Sequence, residues 1–212
     1  MKALKKYPRT PHLPWSPGGT KDDAYLVDTD HFEGHDVVVT EKMDGENTSM
    51  YHDHYHARSL DSQHHTSRDW VKALHARICF EIPKGWRICG ENLFAQHSII
   101  YNALPSYFML FSVWTDDNIS LSWSEVEEWA YLLELETAPV LYRGAWNQAV
   151  IKDLVIDEKT QEGYVVRRAE AFHYDEFPYS IGKWVRPGHV TTDQHWMHAQ
   201  IQPNRLARPT EK

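Results

Sequence analysis

Long hydrophobic runs are missing from this 212-residue chain, whose mean hydropathy is -0.60. No apolar stretch approaches the roughly 20 residues that span a bilayer, which excludes a helical membrane protein. Cysteine is scarce: Cys79 and Cys89 are the only two, too few for a disulfide scaffold, and a reducing cytoplasm is the simplest compartment. The amino-terminal MKALKKYPRTPHLPW has basic residues but no apolar core ahead of its prolines, so a secretory leader is not expected. Basic residues are outnumbered, with 22 Lys and Arg against 30 Asp and Glu, for a net charge of -8. That balance speaks against a surface coated in positive charge and leaves room for a local basic groove. Hydrophobic residues at 42% and charged residues at 25% mark a globular protein, so collagen-like and disordered classes fall away. What is abundant is Trp, with nine, and His, with 14; neither identifies a function alone.

The length suits a single domain, 1–212, with an amino-terminal arm (1–35) and a carboxy-terminal tail (187–212). YPRTPHLPWSPGGTKDD breaks helix and strand with its prolines and Gly-Gly pair, predicting a surface arm, or one in which Trp15 folds back to line a site. DVVVTEK reads as a buried strand, TSMYHDHYHARS as one or two more, and GWRICGENLF and YFMLFSVWT as further strands. SRDWVKALHARICF places Trp70, Val71, Leu74 and Ile78 at helical spacing, with Thr66 and Asp69 at the positions of a capping box. SWSEVEEWAYLLEL is the clearest helix, with a Ser122–Glu125 box and a stripe of Val126, Trp129, Leu132 and Leu133. WNQAVIKDLV reads as a short helix, and EGYVVRR and YSIGKWVRP return to strand. Without regular βαβ alternation, this mixture predicts an α+β fold of antiparallel sheets flanked by helices.

The most informative stretch is Glu41-Lys42-Met43-Asp44-Gly45, closing the first strand. A lysine beside an Asp-Gly turn sits on rigid backbone, and burial or a nearby metal ion would lower its pKa and free an amine for attack. Taken alone, K-x-D-G equally describes a solvated lysine at a hairpin turn. Downstream follow Ala57-Arg58-Ser59, Gly90-Glu91-Asn92, Phe108-Met109-Leu110-Phe111, Glu162-Gly163-Tyr164-Val165-Val166 and Lys183-Trp184-Val185-Arg186. In order and spacing, from about Glu41 to Arg186, these resemble the motif series of the covalent nucleotidyltransferases: ATP-dependent RNA and DNA ligases and mRNA capping enzymes. The details look most like the RNA-ligase-2-like branch of the RNA ligases.

That resemblance implies a nucleotidyltransferase (ATP-grasp-like) domain and a cytoplasmic RNA-repair ligase that joins 5′-phosphate and 3′-hydroxyl RNA ends, using ATP and Mg²⁺ or Mn²⁺. It implies that Lys42 attacks the α-phosphorus of ATP to form a lysyl-AMP intermediate, and that Glu41 defines the adenine pocket. Asp44 and Gly45 would shape the turn, Arg58 bind a phosphate or the ribose, and Glu91 bond the ribose hydroxyls. Phe111 would stack on the purine, Glu162 organise the metal, and Lys183 neutralise the α-phosphate. Arg186 departs from the family's Lys-x-Lys pattern, because strand alternation turns it from the face of Lys183 unless a bulge brings it in. Only 26 residues follow Arg186, too few for an appended oligonucleotide-binding barrel, which argues against DNA ligase and capping enzyme. Those two, and an end-binding module without turnover, are the alternatives.

Other groups are open. Glu91, in a buried strand, needs a partner, either a ribose or a structural Arg or Lys. Arg167 and Arg168 suit RNA phosphates or a solvated strand face. In a strand, His52, His54 and His56 share one face, and a wet face near the nucleotide fits them better than a zinc site; His64 and His65 follow closely. His189, His195, Trp196 and His198 either close over the site or pack. For RNA phosphates the candidates are Lys2, Lys5, Lys6 and Arg9 at one end and Arg205 and Arg208 at the other.

Overall fold

The computed structural model describes residues 4–20, 22–61, 63–188 and 201–208. Its strands are β1 (Asp36–Glu41), β2 (Glu46–Met50), β3 (Tyr55–Ala57), β4 (Arg87–Asn92), β5 (Phe108–Trp114), β6 (Ile119–Ser120), β7 (Glu136–Thr137), β8 (Val140–Ala145), β9 (Gly163–Arg168), β10 (Phe172–His173) and β11 (Ile181–Val185). The helices are α1 (Asp69–Ile78), α2 (Trp123–Leu132), α3 (Gln148–Lys152) and α4 (Phe177–Ser180). Four strands form one sheet in the order β11-β9-β1-β8, all antiparallel. The other sheet runs β10-β6-β5-β4-β2-β3, with β7 joining β5 in parallel. The expected α+β class with antiparallel sheets is what forms; β7 adds a parallel pairing, and no barrel closes among the described residues.

The core follows from β-branched and aromatic residues on facing surfaces. Val38, Ile88, Phe108, Leu110 and Val113 pack under Val71, Leu74 and Ile78 of α1 and Trp123, Val126 and Ala130 of α2. The capping box at α2 forms as predicted from Ser122 and Glu125. Its buried stripe differs from the predicted one. Trp123, Val126, Ala130 and Leu133 face inward, whereas Leu132 is 69% exposed. The one at α1 does not form: Thr66–Arg68 make a 3₁₀ turn whose cap is the His65 side chain, and Arg68 precedes α1 with no side-chain cap.

The arm is not a free surface arm: parts of it pack into the domain. Leu13 is wholly buried, and Tyr7 packs edge-on against Phe111, Trp114 and Phe177. Trp15 does fold back, its indole N–H donating to the Tyr164 hydroxyl at 3.0 Å, but it does not line the cleft around Lys42. At the other terminus, buried Asn204 donates its amide to the Leu93 carbonyl and accepts from Tyr101 N–H. His189, His195, Trp196, His198 and Lys2 lie outside the described residues.

Candidate functional site

Lys42 stands where β1 leaves its sheet. Its N–H donates to the Gly163 carbonyl at 2.9 Å, and its ammonium contacts the Glu162 carboxylate. Glu162 is fixed from the far side as well, its carbonyl accepting from Arg186 N–H. Gly163 has φ +156°, and a Cβ there would lie 2.0 Å from the Trp184 carbonyl oxygen, so glycine alone permits this approach of β9 to β11. The Glu162 side chain is 5% exposed and that of Lys42 is 24% exposed, which makes the amine the reachable member of the pair.

Lys42 opens on a cleft of about 540 Å³. Of the sequence-predicted residues, Glu41, Lys42, Gly45, Arg58, Glu91, Phe111 and Lys183 line it. Glu162 reaches it through Lys42. Asp44 is turned to a neighbouring loop, where its carboxylate accepts from the Ser98 hydroxyl and Ile99 N–H at 2.7 Å each. Arg186 does not line the cleft. β11 pairs with β9 in unbroken register from Ile181 to Val185, so no bulge brings Arg186 round to the face of Lys183.

Phe111 reaches the cleft through a bulge that the sequence does not advertise. Cys89 pairs with Ser112 and Gly90 with Leu110, so Phe111 is the extra residue between them. Opposite the bulge, Gly90 is required because a Cβ would fall 2.3 Å from the Phe108 ring. The half-buried Phe111 ring thus forms an apolar wall with Met43, Ala138 and Val165. Glu41 accepts from the Gln161 amide at 3.0 Å, and burial raises its pKa.

The charges differ from the sequence expectation in one respect. Burial alone would depress Lys42, but the carboxylates of Glu162, Glu91 and Asp44 outweigh it and hold its pKa above the ordinary lysine value. These carboxylates favour the ammonium form of Lys42, against the lowered pKa that burial alone would give. Lys183 moves the other way, lowered by burial and by the nearby Lys42 charge. Burial pushes Glu91 up to about 8, although Lys42 opposes the shift. Its hydrogen-bond partner is the Gly45 N–H rather than an Arg or Lys.

Several lining residues escape the sequence analysis. Tyr7, Thr10 and Asp23 come from the arm, where proline density hid any pattern, while Arg9, expected to meet RNA phosphates, lines the same cleft. Arg167 and Arg168 are not on a solvated face. Arg167 is 3% exposed, donates to the Leu121 carbonyl at 2.7 Å, and sits against Trp123 and Phe172, while Arg168 donates to the His31 carbonyl. The histidine strand also differs, because β3 begins only at Tyr55. His52 and His54 line a second cleft with Lys5 and Arg87 that shares no residue with the first, His56 is buried, and His64 pairs with Asp69.

No group of three or more His, Cys, Asp or Glu among the described residues is placed to hold a metal unaided. The donors present still fit a hard divalent ion, which takes one or two carboxylates and fills the rest of its shell from phosphate and water. Glu162 is the carboxylate in place.

A family model described as RNA ligase matches residues 35–185. Naegleria gruberi RNA ligase with PPi has the same fold at a TM-score of 0.52, with 17% identity over 74% of this chain and 51% of that one. A mutant of that ligase with AMP and Mn gives 0.53 at 16% identity over 74% and 51%, and another with ATP and Mn gives 0.51 at 16% over 85% and 60%. The chain thus spans about half the length of these solved structures. No curated protein matches it.

Proposed function

The chain belongs to the RNA ligase family, and on that footing we propose that it joins 5′-phosphate and 3′-hydroxyl RNA ends with ATP, in RNA repair, through a lysyl-AMP intermediate on Lys42. The observation that carries this is the setting of Lys42, a half-buried lysine at the end of a strand that lines the cleft, with Glu162 on its amine and Lys183 lining the same cleft. The apolar wall around Phe111 suits an adenine and Glu91 a ribose, while Lys183 and Arg58 suit the phosphates.

At rest Lys42 is an ammonium, and it must lose a proton before it attacks. Glu162, already in contact with Nζ, is the acceptor in place. Attack on the α-phosphorus gathers negative charge that Lys183 meets, its own lowered pKa notwithstanding, because phosphate favours the charged form. A divalent ion held by Glu162 and the phosphates would supply further neutralisation. AMP then passes to an RNA 5′-phosphate, and a 3′-hydroxyl displaces it. Each step is a displacement at phosphorus, in which positioning and charge do most of the work.

The test is to incubate the full chain with α-labelled ATP and Mg²⁺ or Mn²⁺ and to separate it under denaturing conditions beside Lys42→Ala. Label on the native chain alone is expected, with transfer to nicked RNA on chase. Absence of label from both ATP and GTP would overturn the proposal and leave an end-binding module.

A further inference from the structure

The second cleft, of about 1140 Å³, lies at the far end of β2 and β4 from Lys42. Arg87 opens β4 and Glu91 follows four residues on, so strand alternation puts both side chains, with Cys89 between them, on one face. About 13 Å separates Arg87 from Glu91 along the strand. The amino-terminal segment ties the two clefts together. Lys183 N–H donates to the Pro11 carbonyl at 2.9 Å, Leu13 N–H to the Lys183 carbonyl at 2.7 Å, and Gly18 N–H to the Val185 carbonyl at 2.9 Å. Upstream of those bonds Tyr7 lines the first cleft, and Leu4 and Lys5 line the second.

Arg87 is 2% exposed, and its guanidinium meets the second cleft beside Asn118, whose side-chain oxygen accepts from Nη1 at 3.0 Å. Nε and Nη2 are buried and have no acceptor. Their N–H bonds point the same way along one edge of the planar group, so a whole edge lacks a partner. The guanidinium carbon stands 4.7 Å from the Trp114 ring centroid and 5.9 Å from that of Tyr174, contacts that use its face and leave this edge free. The Cys89 thiol is neutral, pushed up by burial although Arg87 opposes the shift, and is a weak acceptor. The carboxylates lining the cleft do not pair with Arg87: Asp53 contacts His54 Nδ1 at 2.6 Å, and Asp116 and Asp117 are engaged elsewhere. A buried charge is ordinarily both paired and fully hydrogen-bonded, because leaving it uncompensated is costly. Lys5 adds a cation 5.7 Å from the same Tyr174 ring centroid, and Lys84 lines the cleft from its exposed side.

We propose that the second cleft is a phosphate site apart from the cleft of Lys42, in which Nε and Nη2 of Arg87 hold two oxygens of one phosphate group and Lys5 and Lys84 add charge around it. The fork of an arginine edge matches two phosphate oxygens. Such a group supplies both acceptors and the missing counter-charge, whereas water supplies no charge. Two sources carry this chemistry, a phosphodiester of an RNA strand and free phosphate. The distance to Glu91 along β4 is that of a few nucleotides, which favours a strand whose end lies at Lys42. That choice of source rests on the activity proposed above; the site itself does not.

The probes are inorganic phosphate and a short single-stranded RNA with a 5′-hydroxyl, which offers backbone phosphates only. Each is titrated into the full-length chain without ATP. The Arg87 Nε–H resonance in a ¹⁵N spectrum, assigned by its loss in Arg87→Lys, reads this cleft and not that of Lys42. A saturable shift is expected. The Trp114 indole N–H reports the same event in Arg87→Lys, which keeps the charge and loses the fork, and binding there is expected to weaken about tenfold. Lys84→Ala, at an exposed position, is expected to weaken it about threefold. A response to RNA names the strand as the source, and a response to phosphate alone names the free anion; either supports the site. No shift with either probe, and no effect of Lys84→Ala, would overturn it and leave Arg87 as a structural cation on Trp114. A shift in a chain that takes no label from ATP or GTP would overturn the ligase activity and leave the site standing.

Discussion

Replacing Lys42 by Met leaves the Glu162 carboxylate, 5% exposed, without its cation and beside Glu91 and Asp44. Breaking a buried pair from one side costs about 3–5 kcal/mol. Two features reduce that here: the Lys42 side chain is 24% exposed, and Lys183 still attracts Glu162. A loss of roughly 2–3 kcal/mol at about pH 8 is expected. The loss must depend on pH. Burial already raises the Glu162 pKa against the pull of Lys42, and losing Lys42 raises it further. The folded variant then keeps a proton that the unfolded chain releases, so its stability relative to the native chain falls as pH rises above the ordinary carboxylate range. Urea unfolding at about pH 5.5 and about pH 8 measures this, with a deficit at the lower pH of under about 1 kcal/mol. Lys42→Met combined with Glu162→Gln should recover most of the loss at the higher pH. Equal deficits at both pH values, or strictly additive single changes, would refute the electrostatic account of the pair.

Two further outcomes follow from the same geometry. Glu91 is raised to about 8 from 4.5, so the native state holds its proton while the unfolded chain loses it, and stability declines between those values; Glu91→Gln should flatten the curve of unfolding free energy against pH there. Gly163→Ala pushes a Cβ onto the Trp184 carbonyl oxygen, and calorimetry should show a destabilisation of about 3 kcal/mol, with loss of ATP labelling as Glu162 shifts.

The neighbourhood of Lys42 was legible because its parts lie in or beside strands and are named by local words in the sequence. Lys42 follows β1, Glu162 precedes β9 and Lys183 sits in β11, and antiparallel pairing of those three strands brings them together. The bulge that aims Phe111 was not legible, since it depends on how β5 meets β4 rather than on either strand alone. The arm was hidden for a related reason. Its prolines forbid regular local structure, and its partner, β11, lies about 170 residues away in the chain, so nothing nearby signals that Pro11 and Leu13 form strand-like bonds. The resting charge of Lys42 likewise needed three carboxylates from separate segments, whose sum decides against burial. The stripe on α2 missed by one position because the sheet beneath selects Trp123 and Ala130, which a periodicity count ranks below Leu132.

The bonds between the amino-terminal segment and β11 also bear on how the molecule meets copies of itself. β11 is the outermost strand of its sheet, and an uncovered outer strand offers unpaired N–H and carbonyl groups on which another chain can add a strand. Pro11, Leu13 and Gly18 occupy those groups at Lys183 and Val185. Proline, which cannot donate, contributes only the carbonyl that Lys183 needs, and so extends the ladder without creating a fresh donor of its own. The segment that shapes the cleft thus also shields the sheet from edge-to-edge aggregation.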